Sequence, residues 1–282
     1  MVGARPDSGT EADDEAGGDR LFRHNRHRAL SIAGLAGLVP GVVVGVVLVA
    51  VGMPIVAAVA LVGVAGGVFW WTWRTAPTRV IRALGAQLSD EDEHPRLHNL
   101  VDGLCASMGL PRPTIFVVGH QVPNAMAVGR DPSTASLIVT SALDQSLSLV
   151  QLEGVLAHEL VHVKRDDTVL AGVAVVAMAP VSVLVSVARA ADRVHAIVGP
   201  GREFSADQQA AAVVRYPPGV GSALEVMVEG PAPTTPWPPG RGRTAALTRW
   251  LWIDPWGGRP ADGETVGNLD DTRVRAEALS LL

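Results

Sequence analysis

Two histidines stand four residues apart, His158 and His162, with Glu159 directly after the first, in the run HELVH. The apolar positions around them, Leu149, Leu152, Leu156, Leu160 and Val163, recur at helical spacing, with Ser148 placed as N-cap. On a helix, residues four apart share a face, so both imidazoles can reach one ion. Neutral imidazole is a good zinc ligand, and a catalytic zinc keeps three protein ligands and one open position. Glu159 would stand beside that ion rather than on it. There a carboxylate can draw a proton from water and later return it to a leaving amine. The alternative is an exposed helix with hydrogen-bonded histidines. Its apolar neighbours Ala157, Leu160, Val161 and Val163 oppose that reading, because burying such groups without a partner is costly.

A third ligand has to come from further along the chain. Residues 163–168 read VKRDDT, which excludes an HxxGxxH continuation and with it an all-histidine site. The best candidate is REFSAD at 202–207. Glu203 and Asp207 are four apart on a predicted helix and share a face. Glu203 would bind the ion, while Asp207 would accept the second N–H of a ligand histidine and fix its tautomer. An ordinary solvated acidic pair is the plainer reading of the same two residues. The donor types favour zinc, one ion per chain. Cys105 is the single cysteine, which excludes an internal disulfide and a cysteine-built metal site.

The elements that must position these groups are unusually apolar. Of 282 residues, 48% are hydrophobic and 18% charged, with mean hydropathy +0.27, a balance that suits a catalytic domain carrying a few membrane segments. The net charge of -5 is small and scattered, so no nucleic-acid partner is expected. Residues 1–28 read as a disordered cytoplasmic tail with a basic flank (Arg20, Arg23, Arg26, Arg28). Residues 29–73 read as a transmembrane hairpin turning at Gly52-Met53-Pro54 and ending in Phe69, Trp70, Trp71 and Trp73 at the water boundary. A signal peptide is the rival for the first stretch. Its length and the second span that follows at once argue against it. Arginines flank both outer ends and none lie in the turn, which places both ends in the cytoplasm.

Residues 74–230 read as the catalytic domain. A helix is predicted over Pro95 to Met108, stopped by Gly109 and Pro111, with strands at 114–118, 125–129 and 137–140 and an Asp131-Pro132 turn between the last two. The strand near 136–140 is expected to offer an edge for substrate pairing. Val169 to Val187 is about 28 Å long as a helix, enough for one crossing. One crossing would put His162 and Glu203 on opposite sides of the membrane. A shared metal therefore requires a bent, re-entrant or packed segment over 168–197, with Pro180 as the break. His195 and Arg193, just before Glu203, are candidate oxyanion stabilisers or merely a charged flank. Residues 231–282 are rich in Pro, Gly and Trp and end in a short helix. Their tryptophans would pack on the domain or rest at the membrane surface.

HELVH, REFSAD and VPNAMAVG at 122–129 together resemble the HtpX-like membrane metallopeptidases, the family that includes the CAAX prenyl proteases. The resemblance covers about residues 76–215 and the hairpin. It implies an α+β, mainly helical gluzincin-type domain with a small antiparallel sheet on an N-terminal membrane hairpin. It implies a zinc endopeptidase of the cell membrane, multi-pass with a cytoplasmic active site. Polypeptide substrates, damaged or misassembled membrane proteins, a stress-response role and contact with the bilayer follow as expectations. Pro123, Asn124 and Ala125 map to the family's substrate-cleft segment. Here the chain departs from the family, which carries two spans between the histidine motif and the glutamate. A non-catalytic zinc-containing adaptor and a prenyl-peptide processing protease are the alternative functions.

Overall fold

The computed structural model describes residues 8–214, 216, 218–230, 234–258 and 271–281, with the side chains of the first helix from residue 24 onward. Two long helices open the chain, α1 (Ser8–Ala50) and α2 (Pro54–Leu84). Of these, His24–Ala50 and Pro54–Leu84 are apolar and long enough to cross a membrane. Gly52 supplies the left-handed turn at φ 83, and Pro54 starts α2 at a position where its missing N–H costs nothing. The two helices pack through small residues. A Cβ on Gly41 would lie 2.9 Å from the Leu61 carbonyl, and one on Gly37 would come closer still to that of Ala65. Small residues let helix backbones approach where no hydrophobic force drives them together. Val39, Val43, Val46, Ile55, Val59 and Val62 point outward with no protein cover, as a lipid-facing surface requires.

α1 begins at Ser8, inside the stretch expected to be disordered; residues 1–7 lie outside the described residues. Extending an existing helix adds one hydrogen bond per residue without a new nucleus, so a span readily carries a polar overhang.

The remainder is α+β and mainly helical. In order it holds β1 (Gln87–Leu88), α3 (Pro95–Met108), β2 (Thr114–Val118), β3 (Ala125–Val128) and β4 (Ser136–Thr140). Then come α4 (Ser141–Ser146), α5 (Leu149–Lys164), α6 (Asp167–Val181), α7 (Val187–Val198), α8 (Arg202–Val213) and α9 (Pro218–Glu229). Last are α10 (Gly242–Ala246) and α11 (Thr272–Leu279). The small sheet has the order β1-β2-β4-β3 and is mixed rather than wholly antiparallel: β2 and β4 run parallel, while β1–β2 and β3–β4 are antiparallel. β4 is therefore an inner strand, paired on both sides, and cannot be the free edge expected near 136–140. The edge on that side is β3. β4 alternates between two cores. Leu137 and Val139 face α3 and α5, and Ile138 faces α6 and the end of α2. Both faces being covered, its five residues are all buried.

α6 and α7 form a helical hairpin packed on α1 and α2 through α6. Val169, Leu170, Val173 and Val176 of α6 pack on Ala29, Ala33 and Ala76. The bend comes at Ser182–Ser186, after α6 has carried Pro180 through its last turn. α7 folds back along α6, and α8 returns to pack across α5.

Candidate metal centre

α5 is capped at its start by a reciprocal capping box between Ser148 and Gln151. From Leu152 onward it is buried on nearly every side by α3, the sheet, α8 and α9. That burial carries His158, Glu159 and His162 into the interior, at 0, 1 and 3% exposure. α8 runs across α5 and delivers Glu203 and Asp207 to the same point, at 3 and 0% exposure. His158 Nε2 is 3.0 Å from Glu203 Oε2 and 3.1 Å from His162 Nε2, and His162 Nε2 is 3.4 Å from Glu203 Oε2. Among the described residues this is the group whose ligand atoms converge, all within 4.8 Å of one another.

The backs of both rings face carboxylates. His158 Nδ1 lies 2.8 Å from Asp207 Oδ1, and His162 Nδ1 lies 2.8 Å from Asp167 Oδ2. With a metal bound, these carboxylates would keep the proton of each ring on Nδ1 and leave each Nε2 lone pair facing inward, toward the other ring and Glu203. Three acceptors facing one another in a dry interior repel unless a cation lies between them. Tetrahedral zinc with bonds near 2.1 Å sets its ligands about 3.4 Å apart, within a few tenths of an ångström of the 3.0, 3.1 and 3.4 Å found. Beside them both Glu159 carboxylate oxygens are buried without a hydrogen-bond partner. Burial pushes the Glu159 carboxyl up, Glu203 adds to the rise, and the two histidines and Arg202 oppose it.

Further charges hold the ligands in place. Arg202 binds Glu203 Oε1 and also donates to the Trp250 carbonyl. Burial alone would raise Glu203, yet Arg202 and His162 hold it well below the usual carboxylate range. Arg275 of α11 grips Asp207 with two bonds, Nε to Oδ2 at 2.7 Å and Nη2 to Oδ1 at 2.9 Å, and also donates to the Ile253 carbonyl. Arg202, Arg275 and Asp167 carry no ligand spacing of their own. In the sequence, Asp167 looks only like the second half of an Asp pair that breaks the histidine motif.

The other candidate residues fall as follows. Asn124 is fully buried. Its amide donates to the Asp254 carbonyl and its oxygen accepts from Asp254 N, while Ile253 N donates to the Ala125 carbonyl. The Asn124–Ala125 end of β3 is thus paired with the C-terminal segment. Thr140 N donates to the Asn124 carbonyl, so by strand alternation Ala125 and Ala127 face outward, and Ala127 is the outward position beyond that pairing. His195 stacks on Trp250 with centroids 4.1 Å apart, and Arg193 is exposed. Trp250 and Trp252 are buried in the core under the sheet, with Trp237 and Trp256 packed against them. They therefore belong to the packed core around the sheet rather than to a membrane surface.

In the metal-free protein His158 is pushed up to about 9. Burial works against its charged form, but Asp207 and Glu203 outweigh burial. A group raised above its unfolded value of about 6.5 stabilises the fold below that pH and loses its contribution as pH rises through about 9. Zinc competes for the same lone pair. Metal-free protein is expected to lose melting temperature between pH 6.5 and 9, while the gain on adding zinc grows over that range. Melting curves with and without chelator check both signs.

A buried His-His-Glu cluster on two crossed helices suits a bound metal ion. Residues 91–224, a little under half of the chain, match the family model of Peptidase family M48. A protease HtpX homolog of Dictyoglomus thermophilum is 31% identical over 186 residues, 55% of this chain and 61% of the relative. One from Pyrococcus furiosus is 40% identical over 110 residues, 39% of this chain and 38% of the relative. One from Salinibacter ruber is 30% identical over 187 residues, 59% and 66% of the two chains. The matched region thus spans less than two thirds of each of these relatives. No solved structure matches the chain.

Proposed function

We propose that this protein is a membrane-bound zinc endopeptidase, with His158, His162 and Glu203 as metal ligands and Glu159 as general base. The observation that carries this reading is the convergence of three acceptor atoms beside a buried carboxylate with no partner of its own. Zinc at these ligands would supply Lewis acidity toward water and the scissile carbonyl. Glu159 takes the proton of the attacking water and passes it to the leaving amine; burial, which raises its carboxyl, brings it closer to the operating pH. Asp207 and Asp167 hold the two imidazoles in the tautomer that aims Nε2 inward.

The arginine pattern supports a site on the cytoplasmic face: Arg26 and Arg28 precede the first span, and Arg74, Arg79 and Arg82 follow the second. We assign its substrates to damaged or misassembled membrane proteins. The named HtpX relatives and the anchored, near-membrane position of the catalytic body support that choice.

Detergent-purified protein should contain one zinc per chain and cleave an unfolded protein such as casein. Chelation should stop cleavage and zinc should restore it. Bound metal with no cleavage under any condition would instead identify a zinc-containing adaptor. Absence of bound metal would remove the reading altogether.

A further inference from the structure

One polar side chain of the membrane hairpin reaches the metal-binding residues. Asn25 lies on α1 one turn before the apolar stretch that starts at Ala29. Its amide nitrogen is 2.6 Å from Asp167 Oδ1 and 3.4 Å from the Arg165 carbonyl. The amide therefore bridges the junction between α5 and α6. Asp167 uses its other oxygen, Oδ2, to hold His162 Nδ1. The chain of contacts runs from the membrane helix to a metal ligand in two hydrogen bonds.

A carboxylate that orients an imidazole must itself be oriented, because it can rotate about its own Cβ–Cγ bond. Asp167 Oδ2 is shared between His162 and, at 3.7 Å, Arg165 Nε. Asn25 is the contact at Oδ1. A neutral amide suits that role: it fixes the plane of the carboxylate while leaving the negative charge to strengthen the imidazole as a ligand. The position of Asn25 is in turn set by packing. Ala29 and Ala33 are fully buried against α6, and Arg28 donates to the Ile197 carbonyl of α7.

We propose that Asn25 is a positioning residue of the metal centre, through which docking of the first membrane helix sets the orientation of His162. The inference rests on the metal-site reading above and makes the hairpin part of the catalytic apparatus as well as an anchor.

The test uses the full chain in detergent, with zinc affinity measured against a chromophoric chelator and the site read by the absorption of bound cobalt. Asn25→Leu keeps the approximate volume and removes the N–H groups. Asn25→Asp keeps the shape and sets a like charge against Asp167. Both are expected to weaken zinc by about 10-fold, the low end of the effect of removing an outer hydrogen-bond partner, to change the cobalt spectrum, and to lower kcat with KM unmoved. Ser31→Ala, which removes an exposed hydroxyl of the same helix that bonds only within it, is expected to leave zinc affinity and the cobalt spectrum unchanged. Wild-type zinc affinity in both Asn25 variants overturns the proposal. So does an equal loss in Ser31→Ala, which would make the effect unspecific to the contact with Asp167. A wild-type protein that binds neither zinc nor cobalt overturns the metal site itself, and this inference with it.

Discussion

Glu159→Gln protein is expected to keep its zinc and lose about 100- to 10,000-fold in kcat, the contribution of a positioned general base. Gln has nearly the same shape but cannot accept the proton of the attacking water. Glu159 lies outside the converging ligand set, so its neutralisation should leave metal content at one zinc per chain. Stability should hold or rise. Both oxygens of Glu159 are buried without partners, and burial already disfavours the charge that Gln would remove. Metal analysis, steady-state kinetics and a melting curve on one preparation read all three. Cleavage at the wild-type rate would end the general-base assignment, and loss of zinc would move Glu159 into the ligand set.

Arg275→Met is expected to cost about 3–5 kcal/mol, the usual effect of removing one partner from a buried ion pair. The guanidinium is fully buried, holds Asp207 with two bonds, and comes within 4.0 Å of Glu203 Oε2. Met preserves much of the stem's packing, so the loss would report the charge. Zinc affinity should fall as well, because a released Asp207 no longer fixes the His158 ring. Adding Asp207→Asn should recover much of the stability, since no orphan carboxylate then remains, but not the metal affinity. Urea midpoints of the two single variants and the double variant give the coupling directly.

Local signals made much of this legible. The helices over 95–108 and 149–164, the strand over 114–118 and the turn at Pro54 each follow from periodicity, capping or proline chemistry within a few residues. The HELVH and REFSAD runs likewise point to each other, because residue type and four-residue spacing are readable without a fold. What could not be read depends on contacts between distant segments. β4 is internal because β2 and β3 both choose it as partner, and nothing within 136–140 announces that. Asp167 and Asn25 gain their meaning from a separation of 142 residues. Arg275 looks like any arginine of an amphipathic helix until α11 is seen to bury it against Asp207, 68 residues earlier. α6 carries Pro180 within its last turn and ends only at Val181, one residue past the break expected there.

The Arg275–Asp207 pair also has a consequence for the order of events during translation. A ribosome completes α5 and α8 well before it reaches α11, so a nascent chain first holds its cluster of carboxylates and imidazoles without the guanidinium that balances it. Closing so long a loop is slow relative to forming the helices on either side. The His-His-Glu cluster therefore acquires its final surroundings only after residue 275 has left the exit tunnel.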